Sequence, residues 1–125
     1  MWAEALELLQ NAERLQRQFF RVGVLHGAPC WEPPVDLYEN GLDLRLLVAL
    51  PGVTPQQVEV ALTPGLIIVR GERSLPAGAR HAAIHRLEIP YGRFERRVVL
   101  SAGEFELIDQ RLEHGCLVLD LRRTT

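Results

Sequence analysis

The side chains best suited to nucleophilic or metal chemistry in this 125-residue chain are two cysteines, two serines and four histidines. Ser74 and Ser101 lie outside any G-x-S-x-G elbow, the turn that would present a serine nucleophile to its base. Cys116 falls in a predicted strand, where a small thiol packs as core. Cys30 sits in a Pro-rich stretch beside Trp31, where oxidation or cross-linking between subunits is the chemistry open to it. The two thiols make no C-x-x-C or other metal spacing. His81 and His85 are four apart in a segment without helical pattern, so they need not share a face, and no carboxylate or thiolate completes a ligand set. Glu104 and Glu106 read as solvated loop carboxylates. Neither a P-loop nor G-x-G-x-x-G occurs. The chain is therefore not expected to be an enzyme, and no cofactor or metal is expected.

The composition points the same way. An apolar fraction of 47% and a charged fraction of 24% are those of one folded domain. A net charge of -2 lacks the basic excess of a nucleic-acid binder. All 14 basic residues are Arg, whose planar fork suits bidentate ion pairs with carboxylates. The N-terminus alternates in charge, unlike a basic-then-apolar leader. No apolar run reaches about 18 residues. A cytoplasmic protein, binding neither nucleic acid nor membrane, is expected.

The elements that must position any site divide near Pro29. Before it, Met1, Ala5, Leu8, Ala12, Leu15, Phe19 and Val22 recur at spacings of four and three, with Trp2, Leu6 and Leu9 widening the stripe. The spacing predicts an amphipathic helical arm over 1–26. Such a stripe must pack on its own domain, on another subunit or on a client. Gly27–Pro34 reads as an extended Pro/Gly linker. Beyond it, short alternating runs are separated by turn residues. Val35–Tyr38 and Leu42–Ala49 flank Asn40-Gly41, and Val58–Leu62 and Leu66–Arg70 flank Pro64-Gly65. A longer loop, Ser74–Ala83, precedes Ile84–Ile89 and Arg93–Leu100. Leu107–Leu112 and Leu117–Leu121 flank His114-Gly115. Strands at this spacing, without helical crossovers, predict an all-β, immunoglobulin-like antiparallel β-sandwich over 35–123.

Five stretches in this order resemble the α-crystallin domain of small heat-shock proteins. They are Pro34–Glu39, Ala49-Leu50-Pro51-Gly52-Val53, and Leu66–Arg73 with its Gly71-Glu72-Arg73. The fourth is His85-Arg86-Leu87-Glu88 followed by Tyr91-Gly92-Arg93-Phe94-Glu95-Arg96, and the fifth Gly115–Leu119. Each is weak alone; the five in register cover about Trp31 to Arg123. The resemblance implies an ATP-independent holdase that binds partly unfolded clients and prevents their aggregation.

It further implies a homodimer by strand exchange, in which Ile84–Ile89 pairs with the first strand of a second copy. The dimer-interface residues would be Val35, Leu37, Tyr38, Ile84, Arg86, Glu88, Ile89 and Arg96. Glu88 and Arg96 would then form an inter-subunit ion pair, or both stay solvated. A groove for a tail or client would be lined by Val58, Val60, Leu62, Leu107 and Leu112. The arm would offer Trp2, Leu6, Leu9, Phe19 and Phe20 to clients. The sequence given ends at Thr125, so 124–125 is expected to be a vestigial tail lacking the family's I-x-I segment, and a small oligomer is expected. Two alternatives remain open: a co-chaperone or adaptor sandwich serving one partner, and a subunit specialised for mixed assembly with a tailed paralogue.

Overall fold

In the computed structural model, residues 20–22, 29–101 and 103–124 are described. They form nine strands: β1 (Phe20–Val22), β2 (Pro29–Trp31), β3 (Val35–Asn40), β4 (Asp43–Ala49), β5 (Val58–Thr63), β6 (Leu66–Arg73), β7 (Gly92–Val99), β8 (Phe105–Glu113) and β9 (Cys116–Arg123). One sheet runs β1-β2-β7-β6-β5, the other β3-β4-β9-β8. All pairings are antiparallel except β2 with β7, parallel at Trp31 opposite Phe94. The expected all-β sandwich is thus the observed fold.

Alternation builds the core. Leu44, Leu46 and Val48 of β4 and Leu117, Leu119 and Leu121 of β9 point at Ile67 and Val69 of β6 and Phe94 and Val98 of β7, and all are buried. Successive strand side chains point to opposite faces, so every second residue is enough to fill the space between two sheets. The tight turns fall where the turn residues predict. His114 and Gly115 both adopt positive φ, 52° and 77°, the pair of values a two-residue type I′ hairpin needs.

Three expectations are corrected. Phe20–Val22, read as the end of a helix, is a strand paired antiparallel with β2, Phe20 opposite Trp31. An aromatic and a β-branched residue favour a strand once an edge is open to pair with. The stretch Gly27–Pro34, read as a linker, supplies β2. Its Trp31 is only 2% exposed, and the ring lies 5.5 Å from that of Phe94, tilted by 47°. Ile84–Ile89, expected to pair with a second copy, forms no strand within the single chain. Leu42, read as the first residue of the strand run Leu42–Ala49, sits in the turn at 60% exposure.

Candidate interaction surfaces

Among the described residues the two sheets end in four edges: β1 and β5 on one, β3 and β8 on the other. An edge strand keeps one row of backbone N–H and C=O groups unpaired. Two of these edges carry apolar side chains that face the core. On β5, Val58 is buried, and Val60 and Leu62 are partly buried against the core. On β8, Leu107 and Leu112 are partly buried against the same core. The expected groove residues therefore lie on two edge strands, one from each sheet.

The third edge, β3, carries the expected dimer-interface residues. Val35 packs on the core, whereas Leu37 is 42% exposed and Tyr38 53%. Leu37 lies opposite Leu46, which is fully buried, so β3 overhangs the edge of the sandwich.

The segment expected to pair with it lies in the 74–91 connection between β6 and β7. Ile84 and Ile89 are each 53% exposed. Arg86 and Glu88 are paired with each other at 3.3 Å. Arg96, on the core-facing side of β7 between Phe94 and Val98, reaches out to Glu32 at 3.7 Å. Within one chain Glu88 and Arg96 thus have other partners. Of the arm residues, Trp2, Leu6, Leu9 and Phe19 lie outside the described residues, and Phe20 belongs to β1.

The geometry of open, apolar-sided edges around a two-sheet core agrees with the comparisons to known proteins. The sequence model of the Hsp20/alpha crystallin family matches residues 36–125. The chain belongs to the Hsp20/alpha crystallin family. An 18 kDa heat shock protein of Streptomyces albus G is 30% identical over 89 residues, 71% of this chain and 62% of that one. Small heat shock protein C2 of Rickettsia felis is 26% identical over 68% of this chain and 56% of its own length. The chain thus spans about three fifths of these curated relatives. Among solved structures, hspA from Xanthomonas axonopodis superposes with a TM-score of 0.62 at 30% identity, over 75% of this chain and 95% of that one. A small heat-shock protein from Xylella fastidiosa gives 0.59 at 29%, over 76% and 88%.

On this Hsp20-family sandwich the outer face of the β3-β4-β9-β8 sheet is closed by charge. Arg45 grips Asp120 through two hydrogen bonds, 2.7 and 3.2 Å. Arg111 donates to Asp120 at 2.8 Å, to Asp109 at 2.6 Å and to Glu113 at 2.8 Å. Asp109 and Asp120 stand opposite each other across β8 and β9, where like charges repel; Arg111 bridges them. The bonds from Arg45 and then Arg111 hold the Asp120 carboxyl below its ordinary value, and the same bonds raise both guanidiniums. A hollow of about 480 Å³ over this sheet is flanked by Arg45–Asp120 and Arg122–Asp43 pairs, so its charges already serve each other.

Cys30 is buried, not open in a linker. Burial first, then the Glu95 and Glu32 carboxylates, push its thiol up, which lowers the thiolate fraction that oxidation or cross-linking requires. Cys116, expected as buried core, is half-buried at the start of β9. Among the described residues no three His, Cys, Asp or Glu side chains are placed to hold a metal ion, and no helix is long and apolar enough to cross a membrane.

Sequence reasoning flagged Arg73 only as part of a motif. In the structure its guanidinium bonds two backbone carbonyls, those of Pro51 and Pro90. The pairings of Glu32 with Arg96 and of Arg45 with Asp120 carried no local signal, because their partners lie far apart in sequence.

Proposed function

We propose that this Hsp20-family chain is a cytoplasmic, ATP-independent holdase that works as a strand-exchanged homodimer or small oligomer. The observation that carries the proposal is the placement of its apolar surface. Half-buried Val60, Leu62, Leu107 and Leu112 line the open edges β5 and β8. Exposed Leu37 lies on the edge strand β3, and exposed Ile84 and Ile89 lie in a segment that forms no strand of its own.

An extended segment of an unfolding client adds to such an edge by backbone hydrogen bonds and seats alternate side chains in the groove between β5 and β8. Burying two aliphatic side chains there contributes roughly 3–6 kcal/mol before ordering costs, enough to hold a client and weak enough to release it. In the dimer, Ile84–Ile89 lies along β3 of a second copy, and Glu88 exchanges Arg86 for Arg96 of that copy. The arm residues Trp2, Leu6, Leu9, Phe19 and Phe20 add client-binding surface.

Light scattering of a heat-labile client, without nucleotide, tests this. Suppression at near-stoichiometric ratios is the expected result. Deletion of residues 1–19, which leaves β1 intact, then separates the arm's share from that of the groove. Unchanged scattering from a folded, dimeric protein would overturn the holdase assignment and leave an adaptor serving one partner.

A further inference from the structure

The 74–91 connection is fastened at both ends by side chains that lie outside it. Arg73, the last residue of β6, donates from Nε to the Pro51 carbonyl at 2.7 Å and from Nη1 to the Pro90 carbonyl at 3.1 Å. Pro51 opens the turn that leads from β4 in one sheet towards β5 in the other. Pro90 stands two residues before β7. At the start of the connection, Gln57 donates from Nε2 to Ser74 Oγ at 3.0 Å, while its Oε1 accepts the Thr54 N–H at 3.0 Å. At the far end, the buried Trp31 donates from Nε1 to the Gly92 carbonyl at 3.2 Å. Between these fastenings the 84–89 segment forms no strand.

We infer that Arg73 is a positioning residue for subunit exchange. It fixes the direction in which 84–89 leaves its own sandwich, and so sets the affinity of one copy for another. The inference rests on the strand exchange proposed above. A guanidinium presents its donors in a rigid planar fork, so one side chain holds two acceptors in set directions. The two acceptors here belong to the inter-sheet turn and to the last residues of the connection. Binding them together ties the exit of the connection to the junction of both sheets. Without the clamp the segment samples more directions, and its effective concentration at β3 of a second copy falls. A Lys ammonium, as a point charge, holds only one carbonyl in a set direction.

The test uses the full chain with Arg73→Met and Arg73→Lys. Sedimentation equilibrium gives the dimer dissociation constant, and amide hydrogen exchange reports separately on the segment and on the sandwich. The expected result is a dissociation constant at least tenfold higher for Arg73→Met and raised by a smaller factor for Arg73→Lys. Amides of 84–89 should lose protection while those of Leu46 and Leu119 keep theirs. A dissociation constant equal to that of a dimeric wild type overturns the role of Arg73 and leaves the exchange standing. Equal loss of protection at Leu46 and Leu119 makes Arg73 merely structural and also overturns it. A wild type that is monomeric at every concentration fails the exchange itself, and the clamp with it. Should Arg73→Met not fold, Arg73→Lys decides by the same comparison.

Discussion

The central strands β4 and β9 and the edge strands β5 and β8 all face the core with aliphatic side chains, yet end in different states. Leu46, Val48 and Leu119 are wholly enclosed, whereas Val60, Leu62, Leu107 and Leu112 stay half-buried against the same core. Alternation decides which face a side chain takes. Position in the sheet decides how completely that face is covered. A central strand has a neighbour on each side and a sheet opposite; an edge strand has one flank open to solvent. The difference separates residues that hold the sandwich together from residues that remain available to a partner.

Substitution at the centre should produce the largest loss of stability. Leu119→Ala removes three heavy atoms from a site with no exposure. It should cost about 2–5 kcal/mol, depending on how far the site collapses. For a domain of this size the melting temperature should drop by on the order of 10 °C, read by circular dichroism. A loss near that of an edge residue would erase the contrast between centre and edge. Gly71→Ala comes next. Gly71 lies in β6 opposite Phe94, and a Cβ there would overlap the Gln57 carbonyl oxygen and sit 2.8 Å from Phe94 Cζ. Overpacking of this kind costs about 1–3 kcal/mol, and thermal unfolding should show it. An unchanged melting temperature would mean that the 3₁₀ turn Pro55–Gln57 moves aside freely.

Centre and edge were not equally legible in the sequence. The strands of the core could be read because the alternation of Leu44, Leu46 and Val48, or of Leu117, Leu119 and Leu121, is local and strict. Ile84–Ile89 has the composition of a strand and was read as one. A strand, however, is a pairing and not a property of six residues, and this segment has no neighbour in its own sandwich. Phe20–Val22 erred in the opposite direction: a helical stripe ran through it, but the free edge of β2 outweighed the periodicity. Pro29–Trp31 was hidden by composition, since a Pro-rich stretch reads as a connection until its Trp31 is seen against Phe94. The groove residues were placed by family resemblance. No pattern in the sequence distinguishes Leu62, half-buried on an edge, from Leu46, enclosed at the centre. The two hydrogen bonds from Arg73 to the Pro51 and Pro90 carbonyls depend on three distant segments meeting, which one-dimensional spacing does not encode.

The edges should show the inverse of the central effect, a smaller loss of stability with a larger loss of function. Leu62→Gln and Leu107→Gln each remove apolar surface that is only partly covered. Each should cost roughly 1 kcal/mol, about half the value of a fully buried Leu. The double variant should melt a few degrees lower yet lose most of its suppression of client aggregation, measured at a temperature where it remains folded. Full retention of suppression would move client binding from the β5 and β8 edges to the arm.

The smallest effect belongs to the outer face of the β3-β4-β9-β8 sheet, and its sign follows from charge. The Asp120 carboxyl is held below its ordinary value of 3.8 by the bonds from Arg45 and then Arg111. A carboxylate depressed in the folded state contributes stability that is fully present above its unfolded value and is lost as pH falls through the folded one. Asp120→Asn should therefore lower the melting temperature slightly near neutral pH, and the gap to wild type should close as pH falls below 3.8. Two features keep the effect small. The cluster is open to solvent, where ion pairs contribute about 0–1 kcal/mol. The substitution also removes the repulsion between Asp120 and Asp109, while Arg111 keeps Asp109 and Glu113 as partners. Salt near 1 M should narrow the neutral-pH gap, because charges at the surface are screened within about 3 Å under those conditions. A gap that stays constant well below pH 3.8 would show that Asp120 acts by packing and hydrogen bonding alone. The network would then be a neutral brace across β4, β9 and β8, with its charge incidental to stability.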